Sequence, residues 1–347
     1  MKTVKNATIV IMAVFIAFLF AGTASAAEKV FKLKMADSFP IGHPGHKLAL
    51  GYIEMVEKES GGRIKIEYYP AQQLGKMKDM LKLCQGGMTD IAYIAPSFYA
   101  GQLPLNTVMT LPFWTTAMEG TEIYQTLVQE SPELAEEFKK YNIRPLSVFA
   151  TSQYDVGTVK KKVTKPEDLK GLRLKTSGGI FDKIAQQFGI IPVTVASPEV
   201  YEATQRGIVD GNIFSLASVK GYRVNELEKY HTLGLRLGGF PSMYAINDRT
   251  WKKLPEDLQK VLTGSAEKIA AVFAFVWDKK NKEAAEEFEK EGMEIFRVPD
   301  EERAMWDAPL EGIETVWIED MDKMKRPGQK VFDRFKEISK KVTGGGV

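Results

Sequence analysis

The 347-residue chain has a single cysteine, Cys84, so no internal disulfide can hold it together. Cys84 falls in line with Met77, Met80 and Leu81 at helical spacing and reads as a small buried apolar residue. Histidine is almost as scarce. His43 and His46 are three apart, but Pro44 and Gly45 lie between them, so no shared helical face is required and no metal site is expected. Neither sign of charge is in excess: 47 Lys and Arg stand against 45 Asp and Glu. A near-neutral chain lacks the general attraction that a nucleic-acid or anionic-lipid binder needs. Basic clusters such as Lys160-Lys161-Lys162 therefore read as solvated turns. Also missing are a GxSxG elbow, an HExxH helix, a Walker phosphate loop, a CxxC pair and a GxGxxG turn. No nucleophile, base and orienting group assemble, which argues against an enzyme. No metal or organic cofactor is expected.

One long apolar run is present, Ala7 to Gly22. Lys2 and Lys5 precede it, and the small residues Ala24-Ser25-Ala26 follow it. That three-part pattern is a secretory signal peptide at 1–26, cut after Ala26. The run falls short of the roughly 20 residues a membrane-spanning helix needs. No cysteine stands at the cut, so no lipid anchor is expected, and the mature chain is placed in the periplasm. The remaining 321 residues, with a formal charge of zero, exceed the usual single core. Two domains are expected.

Phe31, Leu33 and Met35 alternate as a strand. Leu48, Tyr52, Met55 and Val56 share a helical face that Ser60-Gly61-Gly62 terminates. Ile64, Ile66 and Tyr68 alternate again, a helix spans Met77 to Cys84, and Asp90 to Ile94 reads as a third strand. The same order recurs: a strand at Leu172–Thr176, a helix through Ile180, Ile184 and Phe188, and a strand at Ile191–Val195. A helix capped by Ser197 with Pro198 at its first position follows, and then a strand at Ile213-Phe214. Gly87-Met88-Thr89-Asp90 and Gly207-Ile208-Val209-Asp210 are matching helix stops in the two halves. This βαβαβ order predicts mostly parallel sheets, with ligand bound beyond the carboxyl ends of the strands. Two such lobes facing each other make a cleft, the usual place for a small molecule. Pro255 to about Glu291 predicts a helix long enough to brace both lobes, with Thr263-Gly264 as a candidate break.

Four stretches resemble the solute receptors of tripartite ATP-independent periplasmic (TRAP) transporters, the DctP-type family. They are YPAQQLGKMKDMLKLCQGGMTDIAYI (69–94), LPF (111–113), KPEDLKGLRLK (165–175) and SPEVYEATQRGIVDG (197–211). The resemblance covers roughly residues 30–320. It implies an α/β, two-lobed periplasmic-binding-protein fold with a long helix spanning both lobes. Lobe I is assigned to 27–150 plus about 240–275, and lobe II to 151–239 plus about 276–340. It also implies closure around one organic acid and delivery to the membrane subunits of a sodium-driven transporter. A monomer is the default. A receptor for an ATP-driven importer and an exported two-lobed enzyme are the competing readings.

Many members of that family hold a carboxylate with an arginine in the strand after the GL pair. Here Lys175 takes the place, with Arg173 two residues earlier on the same strand face. Ala95 falls where the acidic-sugar receptors carry glutamate, a second arginine falls near Tyr154, and an asparagine near Phe214. Ile213-Phe214 replaces the acid-aromatic pair of metal-bridged members, so no metal is expected. The resemblance thus implies an apolar cleft formed by Phe98, Trp114, Tyr154 and Phe214. Lys175 would meet the charge, with Gln153, Ser177 and Ser215 as polar partners. The ligand expected is a monocarboxylate, or similar monoanion, with a hydrophobic or aromatic body.

Overall fold

The computed structural model describes residues 29–345, so the signal peptide expected at 1–26 lies outside the described residues. β1 (Phe31–Ala36) turns Leu33 and Met35 inward and its lysines outward. α1 (Pro44–Glu59) starts with proline at its first position and buries Ala49, Tyr52 and Val56. β2 (Ile64–Tyr69), α2 (Met80–Gly86) and β3 (Ile91–Ile94) follow. Gly87 ends α2 in the left-handed conformation, φ 76°, which costs glycine no Cβ clash. α3 (Ala117–Glu130) opens with a reciprocal capping box between Thr116 and Glu119, and α4 (Pro132–Lys140) and β4 (Ile143–Ala150) complete this stretch.

The second stretch runs β5 (Asp155–Thr158), β6 (Arg173–Thr176), α5 (Ile180–Gln187), β7 (Ile191–Thr194), α6 (Val200–Gln205), β8 (Gly211–Phe214), α7 (Leu216–Gly221) and β9 (Tyr230–Leu233). The chain returns through β10 (Pro241–Asn247) and α8 (Asp248–Trp251) into α9 (Glu256–Lys290). β11 (Glu294–Arg297), α10 (Arg303–Asp307), α11 (Ile313–Lys323) and α12 (Gly328–Val342) end it.

Two sheets result, in the orders β2-β1-β3-β10-β4 and β11-β9-β5-β8-β6-β7. Both are mixed rather than mostly parallel. The βαβ pairs β1–β2, β1–β3, β6–β7 and β6–β8 are parallel. The strands that arrive from the other lobe, β10 and β5, run antiparallel to their neighbours. They enter each sheet from the cleft side, which reverses their direction.

α9 is unbroken through Thr263-Gly264 and spans 35 residues, about 53 Å at 1.5 Å per residue. Its Asp278 carboxylate accepts the amides of Ala117 and Met118 at the start of α3 in lobe I. Asn281, one turn on, accepts the amide of Ala217 in lobe II at 2.7 Å and donates to Ser152 between the lobes. One helix face therefore ties down both lobes.

A further expectation is corrected. Ser197 makes no side-chain cap: a 3-10 turn at Ser197–Glu199 starts after Ala196, and Ser197 lines the cleft with Tyr222. β11 pairs with β9 in the second sheet. Residues 328–342 pack against residues 113 and 114. Phe332 and Phe335 of α12 meet the ring of Phe113 edge-on, and Phe335 also meets Trp114, which gives that amphipathic helix its apolar partner.

Candidate functional site

Between the lobes, residues 151–154 and 237–240 pair irregularly. Tyr154 N donates to Gly238 O, Leu237 N to Tyr154 O, and Thr151 N to Phe240 O. Gly238 has φ 102°, a turn that side-chain-bearing residues rarely make. This double crossover carries Tyr154 and Phe240 into the cleft as a stacked pair, centroids 5.9 Å apart and 14° from parallel. Phe181 stacks on Tyr154 as well, and Phe214 meets it edge-on.

Lys175 lies in β6 beside Asn212 of β8 and is fully buried. Its ammonium sits 3.8 Å above the Phe214 ring and 6.0 Å from that of Phe98, which belongs to lobe I. Ser177 is its hydrogen-bond partner, at 3.2 Å. It forms no ion pair with a carboxylate among the described residues. Burial alone pushes its pKa well below the usual lysine range. An amine with one hydrogen-bond acceptor, enclosed by aromatic rings, suits an anionic guest. Arg173, by contrast, is half-exposed and committed to Asp210, which it meets at 2.6 Å and 3.1 Å.

Phe214 and Tyr222 stack at 5.8 Å, and beyond Tyr222 the cleft closes on a narrow pocket with about 290 Å³ between its atoms, part of it open to solvent. Phe39, His43 and Tyr93 form its lobe I wall, and Ser197, Ser218 and Tyr222 its lobe II wall. Thr151, Tyr154 and Phe240 come from the crossover, Ser242 from β10, and Phe273 and Trp277 from α9. The lining is aromatic faces interleaved with hydroxyls. Tyr93 and Ser242 satisfy each other at 2.8 Å.

His43 holds a particular place in this wall. Its ring stacks on Phe39 (4.5 Å, 8°) and meets Tyr222 of the other lobe at 4.7 Å. Nδ1 accepts the Gly45 amide at 3.0 Å, which assigns the hydrogen to Nε2. Nε2 is buried with no hydrogen-bond partner. Burial, with a smaller contribution from His46, lowers its pKa to about 3, so the ring is neutral at ordinary pH.

The residues expected from the sequence distribute as follows. Ser177, Phe98 and Phe214 come together around the Lys175 amine, and Tyr154 meets Phe214 edge-on. Trp114 lies under the crossover: its indole fills the space left by Gly120 and Gly239, and Nε1 donates to Thr151 O at 3.4 Å. Gln153 and Ser215 line a separate groove against α9 with Asp278 and Asn281. There Gln153 accepts the Gly238 amide, and Ser215 accepts from Trp277 at 3.2 Å. Phe39, His43, Tyr93 and Tyr222 were not among the sequence candidates. A signal for His43 was present, since it stands in the turn after the carboxyl end of β1, where such sheets bind ligands. No group of three metal-ligating side chains occurs among the described residues. Cys84 is buried and free, with burial raising its pKa.

Residues 35–318 match the sequence model of the family described as bacterial extracellular solute-binding protein, family 7 (DctP). A marine-metagenome TRAP solute-binding protein specific for aromatic acid ligands, solved with 3-hydroxybenzoate, is 25% identical with a TM-score of 0.84. The match covers 90% of this chain and 99% of that one. A TRAP solute-binding protein of Rhodoferax ferrireducens, solved with copurified benzoate, is 24% identical with a TM-score of 0.83, over 92% of this chain and 100% of that one. The C4-dicarboxylate-binding periplasmic protein DctP of Rhodobacter capsulatus is 26% identical over 77% of this chain and 80% of its own length.

Proposed function

Since the chain belongs to family 7 of the bacterial extracellular solute-binding proteins, a receptor of the TRAP type and not an enzyme, we propose that it captures a monocarboxylate with an aromatic or hydrophobic body. We infer further that it works in the periplasm as a monomer, after removal of residues 1–26, and hands its cargo to a sodium-driven membrane transporter.

One observation carries the ligand reading: the fully buried Lys175 ammonium with no carboxylate partner, enclosed by Phe98 and Phe214. A single buried cation suits a single negative charge. A ligand carboxylate there would favour the charged form of the lysine and gain a charge-assisted hydrogen bond, worth roughly 1.5–3 kcal/mol. The aromatic surround would take an apolar body. A dicarboxylate would leave its second charge among rings and hydroxyls, which costs several kcal/mol on the order of a desolvated ion. The neighbours solved with benzoate and 3-hydroxybenzoate favour the same ligand chemistry.

Closure follows from the placement of partners on both lobes. A ligand shifts the open–closed balance only by its differential affinity for the two states. Here Lys175 belongs to lobe II and Phe98 to lobe I, so a guest between them gains its full contacts in the closed form alone. Calorimetric titration with benzoate, phenylacetate, hexanoate, succinate and N-acetylneuraminate tests the proposal. Binding of the three monocarboxylates is expected; binding of only succinate or the sugar acid would overturn it.

A further inference from the structure

We propose that the groove between the crossover and α9 is a second ligand site, which takes a small oxyanion, a carboxylate or a phosphate, and whose occupation favours the closed lobes. The site lies outside the cleft and does not depend on Lys175.

The groove and the cleft occupy opposite sides of one hinge. Along the crossover, Thr151 and Tyr154 turn to the cleft, whereas Ser152 and Gln153 turn to the groove. Along α9, Phe273 and Trp277 face the cleft, and Asp278 and Asn281 face the groove. Thr115 and Thr116, just ahead of α3, belong to one wall. Leu233, at the end of β9, and Arg236 belong to the other. The groove holds about 700 Å³, within the roughly 300–1,000 Å³ of small-molecule sites.

What it takes follows from which of its polar groups are already engaged. Asp155 accepts the amides of Gly234 and Leu235, and Asp278 those of Ala117 and Met118. Arg297 is paired with Glu289, and Asn281 is held by Ser152 and the Ala217 amide. Three donors are left over. Gln153 is 6% exposed, and its Oε1 accepts the Gly238 amide at 2.8 Å. Its Nε2 is buried with no hydrogen-bond partner. The half-buried Arg236 and the exposed Lys282 form no ion pair among the described residues. Against these donors stands one uncommitted carboxylate, that of the exposed Glu286. An unmet buried amide donor and an unpaired guanidinium in one groove call for oxygen acceptors that carry negative charge.

The link to closure follows from the hinge. The lobes touch across the cleft through His43 and Tyr222. Parting them there by rotation about the crossover brings the walls of the groove together. An anion held between those walls therefore resists opening. By linkage it tightens cargo binding by the same factor by which cargo tightens its own.

Calorimetry on Lys175→Met, whose cleft anchor is gone, reads the groove alone. Inorganic phosphate and malonate are titrated at an ionic strength held constant with sodium chloride. At least one should bind, and which of them does so separates a phosphate site from a carboxylate site. On the same background, binding should weaken about tenfold or more in Arg236→Gln and in Gln153→Glu. The second substitution keeps an acceptor for the Gly238 amide and removes the free donor. If one of these variants fails to fold, the other reads the same contact. With Lys175 in place, the gain in benzoate affinity on adding the anion should be about fivefold or more larger than in Arg236→Gln. Competition at Lys175 is common to both proteins and cancels in that comparison. Binding of neither anion, or binding that survives both substitutions, overturns the site. Equal gains in benzoate affinity overturn its link to closure. Should benzoate itself fail to bind, the cleft reading falls while the Lys175→Met titration still decides the groove.

Discussion

A β-carbon on Gly221, the last residue of α7 in lobe II, would lie 2.6 Å from Nε2 of His43 in lobe I. The two lobes thus meet through a residue that has no side chain to interpose. A second meeting has the same character. Gly179, at the start of α5, comes within 3.2 Å of the Ala100 methyl when given a β-carbon.

Gly221→Ala separates folding from closure. Within the helical turn, alanine is favoured over glycine by roughly 0.5–1 kcal/mol, so the thermal midpoint of the empty protein should stay level or rise. The added methyl obstructs the His43 ring, so ligand affinity should fall about tenfold or more. Small-angle scattering with and without ligand should no longer show the compaction expected of the wild type. Full affinity in this variant would mean that the His43–Gly221 approach is not required for binding.

Lys175→Met should trade function for stability. The buried amine is costly in the empty protein, and an apolar chain of similar length removes that cost. A gain of about 1 kcal/mol would raise the midpoint by roughly 2–4 °C. Monocarboxylate binding should be weakened by about a hundredfold or lost. In the wild type, with Lys175 held below the usual lysine range, anion binding should draw in a proton. Calorimetry in buffers of different ionisation enthalpy measures that uptake, and zero uptake would show that the amine is already charged.

Asp37 gives a pH signature independent of ligand. Its carboxylate accepts the Phe39 amide at 3.0 Å and the Tyr68 hydroxyl at 3.2 Å, with Tyr244 a further donor. Burial outweighs these donors and raises its pKa from 3.8 to about 7. The folded state therefore holds a proton that the unfolded state has released between those values. Asp37's contribution to stability is lost as pH rises from about 4 to about 7 and is flat above. Asp37→Asn removes this dependence. Urea unfolding should show the variant gaining on the wild type between pH 5 and pH 8, on the order of a few kcal/mol. A constant difference would mean that Asp37 does not titrate in that window.

Asn281→Ala cuts the tie between α9 and lobe II. The Ala217 amide loses its acceptor and Ser152 its donor. A cost of about 1–2 kcal/mol in urea unfolding is expected, with weaker ligand binding because α7 carries Gly221 into the cleft. An unchanged unfolding midpoint would show that this contact contributes little.

Periodicity and glycine stops made the lobes readable from the sequence. The repeat that ends at Gly87 and Gly207 returns as two βαβ units with matching turns, since alternation and helix stops are local signals. The long helix was readable for the same reason, although Gly264 inside it suggested a break that packing against α1 and β4 does not allow. Long-range placements were less legible. Trp114 looks like a cleft aromatic until Gly120 and the distant Gly239 prove to make its socket. Gln153 and Ser215 carry suitable chemistry but face α9, and a one-residue change of face in so irregular a crossover leaves no mark in the sequence. Tyr93 and Tyr222 were passed over because a tyrosine in a buried strand or at a helix end resembles ordinary core.

The seat of α12 has a consequence for how the molecule comes into being. Phe332 and Phe335 complete the packing around Phe113 and Trp114, about 220 residues earlier in the chain. The lobe II sheet draws only β11 from beyond β9, whereas lobe I needs β10 and, last in the chain, α12. Contacts between distant segments close late and slowly. The lobe whose synthesis begins first is thus the last to finish folding, and a chain cut short before Gly328 would leave its Phe113–Trp114 surface uncovered.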